Sequence, residues 1–142
     1  MLQRQIVLVV DDDRRLADSL ATFLRGKGLQ VRRAHNGRLG YASYFRNPCE
    51  WIITDIELPG LNGVELVQCI RAINASVKII YMTGAAEKYR ELLTQEARGF
   101  GAQMLCKPFA FTRVIEMLDD KPRLEFKAAK ANIIKMSRSK TL

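Results

Sequence analysis

The strongest constraint on what this chain can fold into lies near its start, in the stretch Ile6-Val-Leu-Val-Val-Asp-Asp-Asp13. Five apolar residues in a row, four of them β-branched, read as a strand buried on both faces. Such strands belong to parallel sheets covered by helices on each side. Three carboxylates follow at once, at the carboxyl end of the strand, where open α/β sheets bind their ligands. Crowding like charges there costs free energy unless a cation lies among them, and an all-oxygen cluster suits a hard ion such as Mg2+. Acids at that point would equally suit the start of a helix, whose dipole favours them. The triplet alone does not choose between these readings.

The rest of the chain decides. Leu16, Leu20, Phe23 and Leu24 recur at helical spacing, and Gly26 and Gly28 supply a stop. Residues 29–34 read as a short strand with a basic outer face. The turn His35-Asn36-Gly37 makes the single histidine a surface residue. A weaker helix over residues 39–45 precedes a second buried strand, residues 51–55, which ends in Asp55. Pro59-Gly60 fits a β-turn. Asn62 and Glu65 have the form of a capping box, before a helix through Leu66, Val67, Ile70 and Ile73. Residues 77–82 form a fourth strand, ended by Thr83-Gly84. A helix over about residues 86–98 closes at Gly99 and Gly101. Residues 103–106 form the fifth strand, ended by Lys107-Pro108, and a last helix covers about residues 110–120.

In a parallel sheet all these strand ends share one edge. Asp11 and Asp12, Asp55, Thr83 and Lys107 each end a different strand, so three acids, a hydroxyl and an ammonium should converge in one shallow pocket. Each alone would be a weak signal; the constellation is a strong one.

The motifs Val-Val-Asp11-Asp12-Asp13, Thr54-Asp55-Ile-Glu-Leu-Pro59-Gly-Leu-Asn-Gly63, Met82-Thr83-Gly84 and Cys106-Lys107-Pro108-Phe109 resemble, in order and spacing, the receiver domain of bacterial two-component response regulators. The resemblance covers roughly residues 4–120. It implies a flavodoxin-like three-layer α/β sandwich, a five-stranded parallel sheet of order 2-1-3-4-5 with helices on both faces. It implies that Asp55 is the phosphoacceptor, taking a phosphoryl group from the phosphohistidine of a sensor histidine kinase or phosphotransfer protein. Mg2+ would be held by Asp11, Asp12, Asp55 and the backbone carbonyl of Glu57. Lys107 would pair with a phosphoryl oxygen, Thr83 would turn in to hydrogen-bond another, and a cis peptide before Pro108 would hold Lys107 inward. Such a protein is not an enzyme beyond its own phosphorylation and dephosphorylation. An output partner, or a second copy through helix 4, strand 5 and helix 5, would read the change. One position departs from the pattern: Met104 stands three residues before the lysine, where the family usually carries Tyr or Phe.

Composition bears on the alternatives. The net charge of +8 looks like a nucleic-acid signal until it is located. Residues 121–142 hold seven Lys/Arg against one acid, Glu125, so +6 lies there and residues 1–120 carry +2. Residues 1–120 are therefore expected to form the receiver domain and 121–142 a basic tail. In that tail Leu124, Ala128, Ala131 and Ile134 offer a narrow apolar stripe beyond a break at Pro122. Twenty-two or so residues are too few for an independent DNA-binding domain, which favours a stand-alone receiver. A basic-tailed nucleic-acid-associated regulator and a truncated transcriptional response regulator remain as alternatives. A Mg2+-dependent phosphohydrolase with an aspartyl nucleophile fits poorly: such enzymes carry the nucleophile and a second acid two residues on at the first strand, whereas here Asp55 is on the third strand and Glu57 ends no strand. No apolar run reaches the length of a membrane span, and the N-terminus runs straight into the first strand, leaving no room for a signal peptide. Cys49, Cys69 and Cys106 lie far apart, two of them in apolar surroundings, which points to inert thiols in a reduced, cytoplasmic protein.

Overall fold

A computed structural model describes residues 5–119 of the chain. Strands and helices alternate without exception: β1 (Ile6–Val10), α1 (Arg14–Gly26), β2 (Gln30–Ala34), α2 (Gly37–Arg46), β3 (Trp51–Asp55), α3 (Gly63–Ile73), β4 (Lys78–Thr83), α4 (Arg90–Phe100), β5 (Gln103–Cys106) and α5 (Phe111–Leu118). All five strands are parallel and lie in the order β2-β1-β3-β4-β5 expected from the motifs. This is the flavodoxin-like arrangement.

The apolar runs form strands because both of their faces are covered. Val7, Leu8, Val9 and Val10 have no exposed surface, and neither do Ile52, Ile53 and Ile80. Leu8, Val10, Ile52, Ile79 and Tyr81 point to one side, into a core shared with Tyr44 of α2, Leu66, Val67 and Ile70 of α3 and Leu93 of α4. Their neighbours Val7 and Val9 point the other way, on the side where α1 lies against β1 and β2 and buries Ala17, Leu20, Ala21 and Leu24. Fully burying a Leu or Val side chain stabilises by roughly 1.5–3 kcal/mol, so these runs contribute much of what holds the sheet. The chain through Phe111 forms one compact unit. From Thr112 onward α5 belongs to another, in which Val114, Met117 and Leu118 are buried on one stripe of the helix.

Several element ends differ from the sequence reading. The helix expected over residues 86–98 starts at Arg90 and runs to Phe100, because Ala85 to Tyr89 turn tightly first and Tyr89 offers no side-chain cap. Gly101, not Gly99, ends it, with φ of 72°. The last helix is shorter than expected, Phe111–Leu118. Of the three cysteines only Cys49 is buried; Cys69 and Cys106 are exposed, so their apolar sequence neighbours do not cover them. The expectations for the basic tail at 121–142 lie outside the described residues.

Candidate functional site

The sheet register aligns the strand ends. Val10 pairs with Thr54, Asp55 with Met82, and Thr83 with Cys106. The next residues along β1 and β5, Asp11 and Lys107, therefore emerge on the same edge as Asp55 and Thr83. The backbone continues the ladder past β5, with the Lys107 N–H donating to the Thr83 carbonyl at 2.8 Å. The Lys107–Pro108 bond is cis, as expected.

The acidic triplet divides its labour. Asp13 accepts from the Leu16 amide and is the N-cap of α1. Asp11 is wholly buried, with Oδ1 accepting from the Asp13 amide at 2.9 Å and Oδ2 from Lys107 Nζ at 2.9 Å. Asp12 is exposed. The helix-start reading of the triplet holds for Asp13.

Asp55 sits at the end of β3, 7% exposed. Its Oδ2 accepts from Lys107 Nζ at 3.1 Å and its Oδ1 from the Glu57 amide at 3.3 Å. The loop that follows is drawn tightly over it. Gly60 takes a positive φ of 75°, and the Gly63 amide donates back to the Ile56 carbonyl at 2.9 Å. A side chain at Gly63 would place its first carbon 2.1 Å from the Asp55 carbonyl oxygen, so only glycine permits the approach. Asn62 and Glu65 close the expected capping box at the head of α3.

Carboxylate oxygens of Asp11, Asp12 and Asp55 all lie within 4.8 Å of one another. Two of them, Asp11 and Asp55, share the Lys107 ammonium. Burial pushes the Asp55 carboxyl above its usual range; Lys107 draws it down, and Asp11 pushes it up again. Burial works against the charge on Lys107, but hydrogen bonds and attraction from Asp11 and Asp55 outweigh it and hold that ammonium above the usual lysine range. The donor set is all oxygen and short of positive charge, which fits a hard divalent cation.

Thr83 is buried beside this cluster, and its Oγ1 accepts from the Ala85 amide at 2.9 Å. The Glu57 side chain points outward, where Tyr89 Oη donates to it at 2.8 Å and Lys88 Nζ at 3.2 Å. The Tyr89 and Lys88 bonds hold the Glu57 carboxyl below its usual range. Sequence reasoning missed Lys88 and Tyr89 because it placed them inside a helix. It also missed a buried link beneath α4, in which Tyr81 and Arg71 both donate to Glu96. The available signal was that Glu96 falls on the same stripe of α4 as Leu93 and Phe100.

Comparisons with known proteins agree with this geometry. The sequence model of the response regulator receiver domain matches residues 7–119. The transcriptional regulatory protein YesN of Bacillus subtilis is 29% identical over 119 residues, which cover 80% of this chain and 31% of YesN. The DNA-binding response regulator MtrA of Mycobacterium tuberculosis is 32% identical over 107 residues, 75% of this chain and 45% of MtrA. The chain thus spans about a third to a half of the length of the curated relatives it matches. Among solved structures, the response regulator TrrA of Thermotoga maritima, in complex with Mg2+ and BeF, superposes with a TM-score of 0.70 at 31% identity, covering 80% of this chain and 96% of TrrA.

Proposed function

The chain belongs to the response regulator receiver domain family, and we propose that it acts as a phosphoryl-accepting receiver in which Asp55 is the nucleophile. The observation that supports this most is the convergence of Asp11, Asp12 and Asp55 on one edge, with Lys107 bonded to Asp11 and Asp55. A carboxylate attacking a phosphoryl anion meets repulsion that only positive charge offsets. Asp11, Asp12 and Asp55, with the Glu57 backbone carbonyl, would hold Mg2+, which neutralises that charge and aligns an in-line transfer.

The chain's own residues then have separate tasks. Asp55 forms a P–O bond as the P–N bond of a phosphohistidine breaks, giving an acyl phosphate. Lys107, already bonded to Asp55 Oδ2, follows the new charge onto a phosphoryl oxygen as a point charge. Thr83 exchanges its Ala85 amide for another phosphoryl oxygen, and that exchange carries the signal into β4 and α4. Gly84 beside it is exposed and leaves the donor room to approach. The protein is modified by this chemistry rather than turning over a separate substrate.

The implied partners are a histidine kinase or phosphotransfer protein on one side and an output protein, or a second copy, reading α4 and β5 on the other. Free thiols at Cys49, Cys69 and Cys106 fit a reducing, cytoplasmic setting. Among the described residues no helix is long and apolar enough to cross a membrane. The test is labelling by a small acyl-phosphate or phosphoramidate donor with Mg2+ present. Wild type should acquire an acid- and base-labile phosphoryl group, and Asp55→Asn should acquire none. Undiminished labelling of Asp55→Asn would place the acceptor elsewhere.

A further inference from the structure

Beneath α4 the molecule buries a second set of charged groups that the phosphoryl chemistry does not use. Glu96 is 5% exposed, although glutamates are almost never fully buried unless paired. Its Oε1 accepts from Tyr81 Oη at 2.8 Å and from Arg71 Nη2 at 2.7 Å, and its Oε2 from Arg71 Nη1 at 3.3 Å. The guanidinium therefore grips the carboxylate with both prongs, and its centre lies 3.6 Å from the ring centroid of Phe100 at the end of α4. One carboxylate on α4 ties down α3 through Arg71 and β4 through Tyr81.

Tyr81 is placed to feel what happens at Asp55. It stands two residues before Thr83 on β4 and pairs across the sheet with Thr54, the neighbour of Asp55. On its other side its register partner is Met104 of β5, which is 38% exposed and offers no ring and no hydroxyl. Beside the Tyr81 ring, Leu93, Ala97, Ala102 and Met104 line a cavity of about 370 Å3. The ring is wholly buried beneath this groove, and its hydroxyl has one strong hold, the Glu96 carboxylate. Burial first, and then Glu96, raise the Tyr81 phenol far above its usual range, so it remains a donor. Because Arg71 and Glu96 neutralise each other, the link needs no ion. Partial opening would strand a buried charge, so the link is made or broken rather than graded.

Resting on the phosphoacceptor reading of Asp55, we propose that Tyr81 and Glu96 are positioning residues that hold α4 in the arrangement of the unphosphorylated site, and that the Arg71–Glu96–Tyr81 link loosens when Asp55 carries a phosphoryl group. The two events then oppose each other by linkage: whatever weakens the link favours the phosphorylated arrangement.

Beryllofluoride with Mg2+, a phosphoryl mimic, titrated calorimetrically into the full chain reads this coupling directly. Tyr81→Phe and Glu96→Gln should each bind beryllofluoride about fivefold to tenfold more tightly than wild type, a typical coupling, while melting at a lower temperature. The double variant should gain no more than the stronger single one, because both break the same joint. Leu24→Val, a core change in α1 on the other face of the sheet, should also lower the melting temperature but keep wild-type affinity. Lower melting with unchanged or weaker affinity in Tyr81→Phe and Glu96→Gln would reduce the link to a structural contact and overturn the proposal alone. Failure of wild type itself to bind beryllofluoride would instead overturn the phosphoacceptor reading, and the coupling with it.

Discussion

Two places in this molecule take charged groups out of water, and they balance them differently. At the carboxyl edge of the sheet, Asp11 and Asp55 share the ammonium of Lys107, and the Asp12 carboxylate lies close to both acids. Under α4, the carboxylate of Glu96 meets the guanidinium of Arg71 and the phenol of Tyr81. The first set is in deficit of positive charge and partly open, with Asp12 exposed. The second is neutral and closed, with both charged side chains under a tenth exposed. Such a deficit suits a ligand that brings positive charge. A closed, neutral set asks for nothing and can serve as a joint. Burial first, and then the neighbouring Asp11, hold the Asp55 carboxyl above its usual range against the pull of Lys107.

The comparison breaks most readily at the closed joint. Glu96→Ala leaves Arg71 buried without its partner, a change that typically costs about 3–5 kcal/mol, to be read from denaturant unfolding. A loss near zero would mean that Arg71 escapes to solvent and the joint is not closed.

Lys107→Met should cost less, about 2 kcal/mol without Mg2+, because the Lys107 side chain is itself partly open to water, unlike that of Arg71. The advantage of wild type over Lys107→Met also has a definite pH range. The folded lysine titrates above its ordinary 10.5, so its stabilising effect is complete below that pH and is lost as pH rises through the higher folded value. Unfolding of both proteins between pH 7 and 12 checks it: the gap between them should hold to about 10.5 and then close.

Smallest of the stability changes, Asn62→Ala removes a capping box that fixes the loop after Asp55 and should cost about 1 kcal/mol. Since Asn62 carries no charge, the stabilisation that Mg2+ gives should be the same with and without it. A changed Mg2+ response would show that the loop's hold on the Glu57 carbonyl, and not the deficit of charge alone, sets ion binding.

The acidic edge was legible in the sequence and the joint was not, for a physical reason. Asp11, Asp12, Asp55, Thr83 and Lys107 each terminate a strand, and parallel strands align their ends whatever their order. Local signals alone therefore bring those residues together. The runs Ile6–Val10 and Trp51–Asp55 and the Asn62/Glu65 box are likewise local, and their bounds match the structure closely. Arg71, Tyr81 and Glu96 meet only because of how far each helix runs and how it leans on the sheet, which no short-range pattern encodes. The start of α4 was misplaced for a similar reason. The turn from Ala85 to Tyr89 is held partly by long-range bonds from Lys88 and Tyr89 to Glu57, more than thirty residues back. Met104 was noticed as a departure, but that its register partner is a buried tyrosine emerged only from the pairing of β4 with β5.

The most direct test of the charge deficit is the melting temperature of the full chain as Mg2+ is raised from nothing to well above its dissociation constant. A cation that binds only the folded acidic edge stabilises it by mass action, about 2.7 kcal/mol at a hundredfold excess over that constant. Wild type should therefore melt several degrees higher in Mg2+, and Asp12→Ala, which removes an exposed carboxylate without disturbing the core, should lose most of that gain. A wild-type melting temperature indifferent to millimolar Mg2+ would contradict the account: the acids would then be balanced without an ion, and the contrast between the two sites would disappear.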